Sequence, residues 1–311
     1  MQGLIIIVTF NNASTIARCL DAAIEAADRS ANSWLICVVD NASADNTVSQ
    51  VRTYSEDRVS VVEMGDNIGF ARAVNLAARR FSDTDLILLL NPDCYVDAES
   101  ISAAETWNCT HPGDAVVVQL RNPDGTNQPS AGSIPYPLRL LKLSLWGRSA
   151  GPYLNETTRA LSEVPRRVEW AHMAYFMVFA RRYWEVGGLD ESYWLYGEDL
   201  DFCLRLGELG ASVWWLADSG AIHSWGHSAK TVGADPVLRF AATFIRILTE
   251  RSKYVSAMLF RLGMAAKHLA NALGRDRTRP ERFRRLRLAG RTLRLPVTRL
   301  RLRQTTEARW L

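Results

Sequence analysis

Two glycine signatures are missing from this chain of 311 residues, and each absence removes an enzyme class. Neither Gly-x-Gly-x-x-Gly nor Gly-x-x-x-x-Gly-Lys-Ser/Thr follows the first apolar run, Leu4–Val8. A dinucleotide-binding Rossmann turn and a P-loop therefore both lose their main warrant. Cysteine is sparse: Cys19, Cys37, Cys94, Cys109 and Cys203 form an odd set without a Cys-x-x-Cys pair, which argues against a disulfide framework and a structural zinc site. No window holds the roughly 18 uninterrupted apolar residues that a membrane-spanning helix requires. The best C-terminal stretch, Tyr254–Leu273, is broken by Arg261, Lys267 and His268. Met1 runs straight into apolar residues with neither a basic leader nor a small-residue cleavage site, so the start does not read as a signal peptide and the cytoplasm is the expected compartment.

A net charge of +4 conceals a strong asymmetry. Residues 1–236 carry 18 Lys and Arg against 29 Asp and Glu, whereas residues 237–311 carry 19 against 4, so an acidic body bears a basic tail. In the tail, Leu238, Ala241, Phe244, Ile245 and Leu248 recur at helical spacing, and Arg282–Arg303 is dense in Arg with Leu between. The preferred reading is peripheral contact with an anionic membrane surface, where each basic residue contributes about 1 kcal/mol. An oligomerisation helix, hence a homodimer, and nucleic-acid contact are the alternatives; nucleic acid is not expected as a partner.

What the body does contain is a rhythm. Leu4–Val8, Trp34–Val39, Val59–Val62 and Leu86–Leu90 read as strands, with helical stretches near 14–28, 45–54 and 69–81 between them. The strands are nearly continuous in Ile, Leu and Val, as when helices cover both faces of a parallel sheet. Ligands then belong at the carboxyl ends of the strands. There the polar residues collect: Thr9-Phe10-Asn11-Asn12, Asp40-Asn41-Ala42-Ser43, Gly65-Asp66-Asn67 and Asn91-Pro92-Asp93. Further on come a helix over Asp97–Trp107, a strand near Ala115–Val118, the turn Asn122-Pro123-Asp124-Gly125, loops and short helices up to about 165, regular structure over Glu169–Ala180, and a strand over Ser212–Leu216.

Asp93 leaves a strand and can present its carboxylate to a ligand; Asp93 or Asp97 equally well starts the next helix. Asp40 meets the same objection, although a carboxylate at such a strand end also accepts from a base or ribose hydroxyl. Without a glycine cradle, a diphosphate needs another counter-charge, and Mg²⁺ or Mn²⁺ on the hard oxygen of Asp93 supplies one. His223, expected just beyond the Ser212–Leu216 strand, can complete that shell, bind phosphate or be a structural histidine; with His227 it makes a His-x-x-x-His spacing that lacks a third zinc ligand nearby. Glu198-Asp199 opens an amphipathic helix after Tyr193-Trp194-Leu195-Tyr196-Gly197. Its carboxylates either complement the helix dipole or provide a general base for an acceptor hydroxyl, with the aromatic residues as a face for a sugar ring; Asp201 reads as structural.

In this order and spacing, these segments, joined by Asn67-Ile68-Gly69-Phe70, Gly187-Gly188-Leu189-Asp190-Glu191 and His223, resemble the family-2 glycosyltransferases, in particular their bacterial rhamnosyltransferase-like branch. The resemblance covers roughly residues 3–230. It implies an α/β GT-A fold, Rossmann-like with a mainly parallel central sheet flanked by helices, carrying a C-terminal basic helical extension. The catalytic domain is expected over 1–235, with a nucleotide-sugar half (1–120) and an acceptor half (121–235), and the extension over 236–311. Thr9, Asn11, Asp40, Asn67, Gly69 and Asn91 are implied in the nucleotide-sugar pocket, Asp93 and His223 at the metal, Asp199 as general base and Glu198 beside it. Inverting transfer from a nucleoside-diphosphate sugar, with dTDP-L-rhamnose the leading donor, to a lipid-linked or oligosaccharide acceptor at the inner face of the membrane follows from the resemblance. The chain departs from the family pattern at Trp170-Ala171-His172-Met173-Ala174, where relatives carry a small Ser-Gly pair, and at Asn91, which replaces the first Asp of the usual Asp-x-Asp. Two rivals remain open. A sugar-1-phosphate nucleotidylyltransferase wants Arg and Lys in a glycine-rich N-terminal loop, which Val8–Ala13 lacks; a non-catalytic nucleotide-sugar-binding module leaves Asp93, Asp199 and His223 together unexplained.

Overall fold

Strand formation in the first half follows the apolar runs. The computed structural model describes residues 1–134, 154–155, 165–224, 236–251, 253–273, 279–295 and 297. These fall into two compact units, Met1–Ser133 with Asn155–Lys230, and Ile134–Leu154 with Thr231–Leu311.

In the first unit, β1 (Gln2–Thr9), β2 (Ser33–Asp40), β3 (Val59–Glu63) and β4 (Leu86–Leu90) lie parallel in the order β3-β2-β1-β4. The helices α1 (Ile16–Asp28), α2 (Thr47–Val51) and α3 (Phe70–Arg80) join them. Every residue of β4 is buried, which is why that strand is Leu and Ile throughout. The buried face of α3 is mostly alanine (Ala71, Ala73, Ala77, Ala78), a small-residue surface that lets a helix lie close.

The remainder alternates shorter elements: β5 (Cys94–Val96), α4 (Ser100–Thr110), β6 (Ala115–Arg121), β7 (Ala131–Ser133), β8 (Leu154–Asn155), β9 (Arg166–Val168), β10 (Trp170–Ala171), β11 (Tyr175–Phe179), α5 (Ala180–Glu185), α6 (Glu198–Glu208) and β12 (Val213–His223). The main sheet continues β4-β11-β6-β12-β5, with β9 also paired to β12. β11 runs antiparallel to both neighbours, β4 and β6, so the sheet is mainly but not wholly parallel. The architecture is therefore the mixed α/β type that the rhythm of the sequence leads one to expect.

One strand prediction needs correction. β12 does not stop at Leu216: its register on β6 shifts between Leu216 and Gly220, and it then runs on to His223. The continuation exists because β5, which periodicity alone does not reveal, pairs antiparallel with residues 221–223. His223 is thus the last residue of a strand rather than part of the loop after it. His227 and most of the expected 123–165 loop region lie outside the described residues.

A buried asparagine explains the Gly187-Gly188-Leu189 signature. Asn75 of α3 donates to the Leu189 carbonyl (2.8 Å), while its Oδ1 accepts from the Leu189 N–H (3.1 Å) and the Tyr183 hydroxyl (2.5 Å). Gly188 sits at φ 69°, and a β-carbon there meets Asn75 Oδ1 at 2.8 Å. The segment before α6 is thereby tied to α3, the helix that follows the loop after β3.

The second unit contains α7 (Pro236–Glu250), α8 (Tyr254–Leu273) and α9 (Arg279–Leu293), which pack on one another; the rings of Phe244 and Phe260 stand 4.6 Å apart. α8 buries Ala257, Phe260, Met264, Ala265 and His268, but exposes Val255, Met258, Leu259, Leu262, Leu269 and Leu273. No helix among the described residues is long and apolar enough to cross a membrane. Residues 298–303, the end of the Arg-dense stretch, lie outside the described residues.

Candidate active site

The parallel register places Thr9 directly opposite Asp40, and the loops that follow are tied together by side chains. Thr9 Oγ1 donates to Asp40 Oδ1 (2.9 Å), as does Ser43 Oγ (2.5 Å), and the Ser43 N–H donates to Asp40 Oδ2 (2.8 Å). Asn11 adopts φ 56°, its N–H donating to Ser43 Oγ (2.8 Å) and its Oδ1 accepting from the Ala44 N–H (2.8 Å). Thr9 and Asp40 are buried and brace the two loops, whereas Asn11 and Asn67 are only half-buried. Asn67 Oδ1 caps the Gly69 N–H (3.1 Å), and the Trp194 indole reaches back to the Asn67 carbonyl (3.4 Å). Gly69 takes φ 85°, and a β-carbon there lies 2.6 Å from the Trp194 carbonyl oxygen. Glycine at this position permits the chain before Glu198 to touch the loop between β3 and α3.

Asn91 and Asp93 emerge from β4 onto the end of β12. His223 Nε2 stands 3.3 Å from Asp93 Oδ1 and 3.3 Å from Asn91 Nδ2. Gln128 decides which ring nitrogen carries the proton. Its Nε2 donates to the carbonyl of His223 (3.2 Å) and to Asn122 Oδ1 (3.0 Å), which leaves Oε1 to accept from His223 Nδ1 at 2.7 Å. In the neutral ring, Nε2 is then the acceptor of the Asn91 Nδ2 hydrogen bond and lies beside the Asp93 carboxylate, so a second acceptor stands 3.3 Å away, a place where a cation or proton would lie between them. Both side chains are buried. The thiols of Cys19 and Cys94, close by, are pushed upward by burial, with the charge of Asp93 adding to the effect, so neither offers a thiolate. Gln128 carries no motif of its own. The predicted turn at 122–125, closed by the Gly125 N–H on the Asn122 carbonyl (2.9 Å), delivers it.

The third group lies at the start of α6. Tyr196 (φ 69°) and Gly197 (φ 105°) take left-handed conformations in succession, and the helix begins at Glu198. Asp199 Oδ2 lies 3.1 Å from Nδ1 of His172, and its Oδ1 accepts from the Leu200 N–H at 2.7 Å. Glu198 is buried, and burial, with the neighbouring Asp199 charge second, pushes its carboxyl up to about 8. Asp201 pairs with Arg205 at 2.7 Å, and Arg205 also holds the carbonyls of Val186 and Gly188, so the structural reading of Asp201 agrees with its surroundings.

The reversed direction of β11 brings these groups to one edge. Because Tyr175 pairs with Leu90, the segment 170–174 enters the sheet where β4 leaves it, and the Asn91 N–H donates to the Ala174 carbonyl (3.1 Å). Gln128, on His223, is two residues from Ser130, whose carbonyl accepts the N–H of His172 (2.8 Å). A path therefore runs from Asp93 through His223 to Gln128, along the chain to Ser130, and through His172 to Asp199. No cluster of three or more His, Cys, Asp or Glu side chains able to hold a metal occurs among the described residues.

Known proteins share this arrangement of chain. An N-acetylglucosaminyl-diphospho-decaprenol L-rhamnosyltransferase of Mycobacterium tuberculosis is 28% identical over 225 residues, 67% of this chain and 71% of that protein. A low-salt glycan biosynthesis hexosyltransferase of Haloferax volcanii, Agl10, is 25% identical over 191 residues, 60% of this chain and 58% of the other. Among solved structures, S. aureus TarS 1–349 in complex with UDP-GlcNAc superposes with a TM-score of 0.56 at 16% identity, covering 95% of this chain and 82% of that one. GalNAc-T7 with UDP, GalNAc and Mn²⁺ gives 0.59 at 14% identity, over 94% and 55% of the two chains. These likenesses establish the GT-A fold. The profile of "Glycosyl transferase family 2" matches residues 4–200, which include Asp40, Asn67, Asn91, Asp93 and Asp199. With that match spanning well over half of its length, the chain belongs to glycosyl transferase family 2.

Proposed function

We propose that this glycosyltransferase moves a sugar, with L-rhamnose from dTDP-L-rhamnose as the leading choice, from a nucleoside diphosphate to a lipid-diphosphate-linked saccharide, with inversion at the anomeric carbon. The observation that carries the reading is the placement of Asp93, His223 and Asp199 along one edge of the sheet. The rhamnose and lipid-diphosphate choices draw on the name of the mycobacterial relative.

A divalent cation suits the donor set. The Asp93 carboxylate and the His223 Nε2 stand 3.3 Å apart in a buried site, and these are the two side chains that would hold the cation. Mg²⁺ or Mn²⁺ held there would supply charge neutralisation for the departing diphosphate. The chain's own groups do the remainder. Asn11, Asn67 and Gly69 face the nucleotide, and Thr9 with Asp40 holds that pocket's shape. Asp199 takes the proton of the acceptor hydroxyl as its oxygen bonds to the anomeric carbon and the bond from that carbon to the diphosphate oxygen breaks. One displacement inverts the centre.

The second unit supports peripheral attachment at the inner face of the cell membrane. Val255, Met258, Leu259, Leu262, Leu269 and Leu273 recur at helical spacing along exposed α8, and α9 contributes exposed Phe283 and Leu286 among Arg282, Arg284, Arg285 and Arg287. Exposed apolar side chains on α8 together with an Arg-rich α9 fit anionic lipid.

The test is a donor panel: purified protein, Mn²⁺, a short-chain N-acetylglucosaminyl-diphospho-lipid, and dTDP-, UDP- and GDP-sugars, with nucleoside diphosphate release as readout. Acceptor-dependent release of dTDP from dTDP-L-rhamnose is expected. Release from none of the donors defeats the proposed chemistry.

A further inference from the structure

At position 172 the chain carries a ring that reaches the proposed base. His172 is firmly held. Its N–H donates to the Ser130 carbonyl (2.8 Å), it follows the β10–β7 pairing directly, and its ring stands edge-on to the fully buried Trp170 at 5.0 Å and 86°. Trp170 is itself pinned by an indole hydrogen bond to the Ser133 carbonyl (3.2 Å). Only about a fifth of the His172 side chain is exposed, and less of Asp199 (21% and 16%). An ionised carboxylate only accepts hydrogen bonds, so the 3.1 Å contact requires the proton on Nδ1 of His172. A serine at this position is too short to span the gap.

Asp199 needs such a partner. It stands in the first turn of α6, where its Oδ1 takes only the N–H of the next residue. The other titratable groups around it do not anchor it. Burial keeps Glu198 protonated toward neutral pH, Asp201 is committed to Arg205, and the Cys203 thiol is buried against the Ala171 carbonyl.

We propose that His172 is the positioning residue for Asp199: its Nδ1–H fixes Oδ2 and turns the remaining lone pairs of the carboxylate toward the acceptor hydroxyl. This inference rests on Asp199 being the base. It makes His172 the feature that adapts the acceptor side of this chain, and assigns it a hydrogen bond rather than bulk.

The experiment compares wild type, His172→Asn, His172→Phe and Asp199→Asn, measuring kcat and KM with dTDP-L-rhamnose and a short-chain N-acetylglucosaminyl-diphospho-lipid. Asparagine keeps an N–H donor near the place of Nδ1, while phenylalanine keeps the ring and loses the donor. His172→Phe is expected to lower kcat about 10- to 100-fold, the range of a hydrogen bond to a charged group, with donor KM unchanged. His172→Asn is expected to recover to within about fivefold of wild type. Equal rates for Phe and wild type, or equal loss in Asn and Phe, overturn the proposal. If Asp199→Asn retains turnover, the base reading falls first; if it is inactive while His172→Phe matches wild type, only the role of His172 falls. A readout independent of folding variants and of turnover is the tautomer of His172 in the wild-type protein, from imidazole ¹⁵N shifts: Nδ1–H is expected, and an Nε2–H tautomer overturns the proposal.

Discussion

Nε2 of His223 lies 3.3 Å from Oδ1 of Asp93, at the antiparallel junction where β12 meets β5 and His223 pairs with Cys94. The two residues come together because the strand carrying one shifts its register and continues past its predicted end. Gln128 then fixes the ring from the other side.

Asp93→Ala and Gln128→Leu test the proposed cation site apart from the chemistry. Asp93→Ala is expected to abolish the Mn²⁺ dependence of donor binding, and Gln128→Leu to weaken cation affinity about 10- to 100-fold, the usual cost of removing the partner that orients a ligating His. Isothermal titration of donor with and without Mn²⁺ reads both; unaltered Mn²⁺ dependence in Asp93→Ala removes Asp93 from the site.

Asp199→Asn is expected to leave donor affinity within about twofold and to reduce turnover about 10²–10⁴-fold, the contribution of a positioned base. Single-turnover product formation beside titration of the donor distinguishes this from a folding defect, which lowers both.

Glu198 gives stability a particular pH dependence. Its carboxyl is held at about 8 in the folded protein against an ordinary 4.5, so between those values the folded state keeps a proton that the unfolded chain has released. This contribution is fully present below about pH 4.5 and is lost as pH rises through 8, with a slope of at most about 1.4 kcal/mol per pH unit. Urea unfolding from pH 5 to 8.5 should show a shallower decline for Glu198→Gln than for wild type. Parallel curves contradict the assignment.

Gly188→Ala introduces a β-carbon 2.8 Å from Asn75 Oδ1 at a left-handed backbone position. A loss of about 2 kcal/mol is expected, measured as a lower urea midpoint, with donor preference unchanged.

Leu259→Asp with Leu262→Asp places charge on the exposed stripe of α8. Wild type should co-sediment with vesicles containing one-third phosphatidylglycerol, and the double variant should bind more than about tenfold more weakly, each buried leucine being worth about 1.5–3 kcal/mol. Equal sedimentation of both rules out this face.

The first four strands were legible because burial on both faces demands unbroken Ile, Leu and Val, as β4 shows. The start of α6 at Glu198 and the turn at Gly125 were legible for local reasons, the acidic first turn of the helix and the left-handed glycines Gly197 and Gly125. β5 was not: three residues become a strand only because β12 arrives beside them. Gln128 lacks any local signature, since its role comes from a hairpin that returns it to His223. His172 left a trace in the sequence as a large residue where relatives are small, but the ring's contact with Asp199 depends on how β10 and α6 pack.

The reversed strand β11 has a consequence for how such a protein can diversify. In a wholly parallel sheet, every loop at the ligand edge departs from a strand. Here the loop 172–174, between β10 and β11, arrives at that edge instead. On the proposed reading, donor and acceptor would be met by chain segments of opposite polarity, so that a residue such as His172 could be exchanged to suit a new acceptor while the loops after β1, β2 and β4 stay as they are.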